Sequence, residues 1–158
     1  MLADPATRYW LKAAELALSR SAYAEANRFV DAGLALIPRL PRGTDRESLE
    51  LALHVTRGAA LSPLKAYTAP ETVAAFTAAK QLLDAGVGDD SQRFFVLMGL
   101  YLTPYISARL ESALELAHEF VEAAERQDET YYHLVGYRML AADRTGTKPR
   151  GIKKSATG

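Results

Sequence analysis

The segment Glu115-Leu-Ala-His118-Glu119-Phe-Val-Glu122 holds the residue types of a metal site. On a helix, positions 115, 118, 119 and 122 share one face, because spacings of three and four residues return to the same side. Carboxylates and an imidazole gathered there supply oxygen and nitrogen ligands of the kind iron and similar transition metals take. Carboxylate-bridged di-iron bundles, however, use two Glu-x-x-His motifs and two further glutamates, and this chain has a single such motif. The expected role is therefore a solvated polar stripe, with no metal bound.

Other chemistry is equally thin. The three histidines, His54, His118 and His133, fall on three different expected helices, and no serine or cysteine nucleophile signature accompanies them. Neither a GxxxxGK[ST] phosphate loop nor GxGxxG, GxSxG or HExxH occurs. No catalytic residue, cofactor or enzymatic activity is expected. Tyr101, Tyr105, Tyr131, Tyr132 and Tyr137 have the character to line a ligand cavity, but packing opposite small residues is the role a helical stack asks of them.

Lysine plus arginine balances aspartate plus glutamate at 19 each, so no overall field draws the chain to nucleic acid or an anionic membrane. The absence of cysteine removes disulfide and thiolate chemistry and suits a reducing compartment. Met1-Leu-Ala-Asp-Pro has neither the basic nor the apolar region of a signal peptide. The longest apolar stretch, Phe94 to Leu102, is far short of the ~20 residues of a membrane span. A cytoplasmic protein without nucleic-acid or membrane partners is the expectation.

The elements that position these residues are helices, since apolar residues recur at three- and four-residue spacings. Seven are expected: about Pro5–Ser19, Ala22–Ile37, Thr44–Ala66, Thr68–Gly86, Asp90–Ser107, Leu110–Gln127 and Asp128–Arg144. Thr44-Asp-Arg-Glu47 and Thr68-Ala-Pro-Glu71 read as capping boxes, and Gly88-Asp-Asp90 as the cap of the fifth helix. Pro38 ends the second helix, and Pro63 disturbs the last turns of the third. The sixth carries an apolar stripe of Leu110, Ala113, Leu114, Ala117, Val121 and Ala124. The fifth is apolar all round, so it should be covered on every side. Residues 146–158, with four positive charges and no negative one, should form a basic disordered tail.

Aligning the odd-numbered helices brings a small residue into a fixed apolar frame: Ala14, Gly58, Gly99 and Gly136, spaced by 44, 41 and 37 residues. Helix pairs repeating at that period indicate a solenoid in which each pair covers the next. A helix backbone approaches its neighbour closely only where the side chain is a hydrogen or a methyl group. A mid-helix glycine costs about 1 kcal/mol relative to alanine, so three of them in register indicate packing. Trp10, Ala13-Ala14, Ala17, Ala26, Val30 and Pro38 fall where the tetratricopeptide pattern W-x2-L-G-x2-Y…A-x3-F…P has its residues, with smaller residues at 13, 14 and 17. The expectation is an all-α domain over 1–145, its antiparallel helix pairs stacked as a tetratricopeptide-like right-handed solenoid.

A closer resemblance covers residues 7 to 141. Arg8-Tyr-Trp-Leu-Lys-Ala, Ser19-Arg-Ser-Ala-Tyr-Ala-Glu-Ala26, Lys65-Ala-Tyr-Thr-Ala-Pro-Glu-Thr-Val73, Val96-Leu-Met-Gly-Leu100 and Gly136-Tyr-Arg-Met-Leu140 resemble the helical-repeat region of large bacterial signalling proteins. There, a class III adenylate/guanylate cyclase or a transcriptional regulatory domain is joined to an ATPase domain and then to such repeats. The resemblance implies a sensory or regulatory interaction region without cyclase or ATPase activity. The chain begins almost at the first repeat and stops within the fourth, as an isolated or truncated module would.

The leading expectation is a protein-interaction scaffold whose partner-facing surface includes Arg57, Lys65, Arg93, Tyr101 and Arg138. The alternative is a sensing domain holding a small molecule between the fifth and seventh helices, in an enclosed cavity beside Phe95, Tyr101 and Tyr132. The seventh helix carries more apolar surface than one neighbour covers, so a homodimer through Tyr131, Leu134 and Tyr137 is expected.

Overall fold

In a computed structural model, residues 5–127 and 130–145 are described; the basic tail, 146–158, lies outside them. Seven helices form in the expected order: α1 (Pro5–Ser19), α2 (Tyr23–Leu34), α3 (Thr44–Lys65), α4 (Pro70–Asp84), α5 (Asp90–Ile106), α6 (Leu110–Glu125) and α7 (Thr130–Thr145). Among the described residues there is no strand. The second helix stops three residues earlier than Ile37. The chain tightens instead into a 3-10 turn over Ile37–Arg39, because Pro38 lacks an N–H and disfavours α geometry in the residue before it.

The helix ends differ from the expected capping boxes for a positional reason. Gly43 and Ala69 occupy the N-cap positions of α3 and α4, and neither end has a side-chain cap. Thr44 therefore lies one residue inside its helix and Thr68 one outside, too far from the caps to bond the orphan amides. A reciprocal cap does form on α5: the Gln92 amide donates to Asp89 Oδ1 at 2.9 Å, and the Asp89 amide donates to Gln92 Oε1 at 3.1 Å. At the far end of α4, Gly86 at φ +89° closes the helix. Its amide donates to the Leu83 carbonyl and that of Val87 to Leu82, the paired bonds of a Schellman cap.

The chain falls into two compact units, Met1–Leu100 and Tyr101–Gly158, the division falling inside α5. In the first, helices pack against their neighbours in sequence order: α1 on α2, α2 on α3, α3 on α4, with α1 also reaching α3. This is the neighbour pattern of stacked helix pairs. Ala14, Val30, Ile37, Leu40, Leu49 and Leu53 form one buried cluster, and Ala17, Ala26 and Ala60 a second. Alanines at three helix contacts bring backbones close. Trp10 packs its ring on Phe29, 5.7 Å between centroids.

The second unit pairs α6 with α7. Ala113, Ala117, Phe120, Val121, Ala123 and Ala124 are buried along α6. Leu110, expected in that stripe, is exposed, because it is the first residue of the helix. Gly136 of α7 faces Phe120 and Val121, so the last member of the small-residue frame also marks a close helix contact.

Candidate binding groove

The small-residue frame leads to the site. A Cβ built on Gly58 would come within 2.7 Å of Phe76 Cζ, and one on Gly99 within 2.5 Å of Phe76 Cε2. The Phe76 ring, on α4, is thus held between two glycine backbones from α3 and α5 and is fully buried. Tyr67 stacks parallel to it, 6.4 Å between centroids, and Phe95 meets it edge-on at 5.7 Å. Both are spacings favourable to aromatic pairs. One immobile ring therefore orients two outer rings, which remain 37% and 40% exposed.

Tyr67 and Phe95 form part of the wall of an open groove of about 390 Å3. Leu18 of α1, Tyr23 of α2, and Ala59, Ser62 and Pro63 of α3 complete it. Most of the lining is apolar, and the polar chemistry is sparse. Pro63 lies inside α3 and has no N–H to give the carbonyl of Ala59, one turn back. The neighbouring Gly58 carbonyl accepts the Ser62 hydroxyl at 2.7 Å. The groove thus combines aromatic and apolar walls with the Ser62 hydroxyl, which is itself spent on the Gly58 carbonyl. The exposure of Phe95 corrects the expectation that α5 is covered on every side. The mid-helix proline was the sequence signal for the groove, but nothing in the sequence placed it beside Tyr67 and Phe95.

Sequence-based surface candidates are placed differently. Arg57 pairs with Asp31 of α2 at 2.7 Å. Lys65 Nζ reaches Glu71 Oε1 at 2.5 Å, across the α3–α4 corner. Arg93 donates to Asp84 Oδ1 at 3.0 Å and to the Leu83 carbonyl at 2.6 Å. These three cations tie successive helices of the first unit together rather than converging on one surface. Tyr101 is buried, its hydroxyl donating to the Met139 carbonyl at 3.2 Å; as a core residue of the second unit it is withdrawn from the surface set. Arg138 is exposed on α7. Phe95 lines the groove of the first unit.

Titratable groups follow the same division. Asp84 is held below its usual range: burial opposes this, but hydrogen bonds from Lys80 and Arg93 outweigh it. Glu71 is lowered chiefly by its hydrogen bond from Lys65. His54 is pushed below its ordinary 6.5, first by burial, with Glu50 opposing and Arg57 adding to the effect. Its Nδ1 is buried without a hydrogen-bond partner among the described residues. His118, with Glu115 and Glu122, points outward on α6. Among the described residues no three His, Asp or Glu side chains gather as a metal site would require.

No helix among the described residues is long and apolar enough to cross a membrane. Compared with known proteins, the chain matches no family model, no curated protein and no solved structure.

Proposed function

We propose that this chain is a non-catalytic protein-interaction module of a cytoplasmic bacterial signalling system, and that the groove walled by Tyr67 and Phe95 is where its partner engages. The observation that carries this reading is the pair of half-exposed aromatic rings braced on one buried ring. Rigid aromatic side chains at the rim of an open cleft lose little entropy on binding, and such residues dominate interface energetics. The partner chemistry that fits the mostly apolar, aromatic lining is an apolar or aromatic side chain. The resemblance of residues 7–141 to the repeat region of cyclase–ATPase signalling proteins supports the regulatory setting.

Affinity capture from the source cell with native chain and with Phe95→Ala tests the proposal. A protein retained by the native chain, lost with Phe95→Ala and kept by Arg138→Ala is the expected result. Equal capture by native and Phe95→Ala chains would remove the groove from the interaction. A second reading, that the groove holds a small molecule, is favoured by its volume, which lies in the roughly 300–1,000 Å3 range of ligand sites. A small aromatic amine that raises the melting temperature of the native chain but not of Tyr67→Ala would select that reading.

A further inference from the structure

Helix α7 exposes one apolar face. Tyr131, Leu134 and Tyr137 are 68%, 60% and 56% exposed, while Gly136 and Met139 on the other side are buried. The three exposed residues are evenly spaced, with Leu134 midway. We propose that this face pairs with the same face of a second copy, the two helices antiparallel about a two-fold axis through Leu134. That register is self-complementary, as a two-fold interface requires. Leu134 meets its own counterpart, and Tyr131 meets Tyr137 of the second copy twice over, as aromatic pairs.

Charge selects both the face and the direction. The outer side of α6 presents Glu111, Glu115, Glu122 and Glu125, all exposed, and two such faces repel. On α7, between Thr130 and Ala142, Arg138 is the one permanently charged residue. In the antiparallel register the two Arg138 positions are about 12 Å apart along the axis, beyond the ~8 Å screening length at physiological salt. A parallel pairing sets them side by side. Area fixes the strength. The three side chains expose on the order of 400 Å2 per copy, within the roughly 300–600 Å2 of the largest, often functional, patch on a typical monomer. Pairing covers on the order of 800 Å2, short of the ~1,200 Å2 of a stable interface. The dimer is therefore reversible and concentration-dependent. It involves the second unit alone and stands or falls independently of the groove.

Sedimentation of the full chain from micromolar to near-millimolar concentration should show a monomer–dimer equilibrium, lost in Leu134→Glu while the melting temperature stays that of the parent. The chain has no cysteine, so introduced thiols report the register. Leu134→Cys should form a disulfide-linked dimer on mild oxidation. Tyr131→Cys alone should not, but a mixture of Tyr131→Cys and Tyr137→Cys chains should cross-link to each other. A monomer throughout the range, a dimer that survives Leu134→Glu, or cross-linking of Leu134→Cys no faster than that of Glu111→Cys would each overturn the proposal. So would a monomer that dimerises only when residues 146–158 are deleted, since that segment would then be the cover.

Discussion

Gly99 lies against one edge of the Phe76 ring: a methyl group at Gly99 would fall 2.5 Å from Cε2 and 2.7 Å from Cζ. Gly58 presents the same surface to the ring's other edge. Glycine is unfavourable in a helix interior, and these two are retained where the gain is the close approach of three helices around one ring.

Gly99→Leu should therefore destabilise the fold by more than about 2 kcal/mol, measured by denaturant unfolding. Gly99→Ala should cost less, and less again in a Phe76→Leu background, where the ring edge is gone. Additive effects of Gly99→Ala and Phe76→Leu would mean the glycine is not there for the ring.

The cations that tie helices together should differ in worth according to what they bond. Arg93 satisfies both the Asp84 carboxylate and the Leu83 carbonyl in the last turn of α4, where a positive charge also complements the helix dipole. Arg93→Met should cost about 1 kcal/mol. The Lys65–Glu71 pair is solvent-exposed, and Lys65→Met should leave the melting temperature unchanged.

Among the described residues, three helix ends close on a residue of positive φ other than glycine, and Ala66 at the end of α3, φ +81° and ψ 158°, is not left-handed helical. Ser21 at φ +58° and Ala108 at φ +55° take the left-handed position of Schellman-type caps, with the amides of Ala22 and Arg109 reaching back to Ala17 and Pro104. Relieving the Cβ clash by Ala108→Gly should stabilise the chain by about 1 kcal/mol, visible as a raised melting temperature. Ala108→Val should lower it.

Acid sensitivity should begin with His54. Its folded-state pKa is depressed by burial, so below about 6.5 the unfolded chain takes up a proton that the folded chain refuses. Stability is complete above that value and declines as pH falls through it, levelling once the folded histidine also protonates. Replacing His54 with glutamine should flatten the dependence of the melting temperature on pH just below about 6.5. A further loss at lower pH belongs to Asp84, whose depressed carboxylate stabilises the fold above its unfolded pKa and ceases to do so as the folded carboxylate protonates.

Periodicity alone determined that this chain is helical, where its seven helices run, and that Ala14, Gly58, Gly99 and Gly136 lie at close helix contacts. These are properties of local spacing: a helix registers every third or fourth residue on one face, and a small residue in that register is legible without knowing its partner. The capping boxes expected at Thr44 and Thr68 do not form, because a cap depends on which single residue leaves helical geometry, and Gly43 and Ala69 take those places. Which side chains meet was decided by the tertiary structure. Arg57, Arg93 and Lys65 have the composition of a docking surface, yet each finds a carboxylate on an adjacent helix segment, and Tyr101 finds the Met139 carbonyl 38 residues away. The groove likewise draws Leu18, Tyr23, Pro63, Tyr67 and Phe95 from across the first unit. The contacts that assemble it are long-range, and no local pattern encodes them.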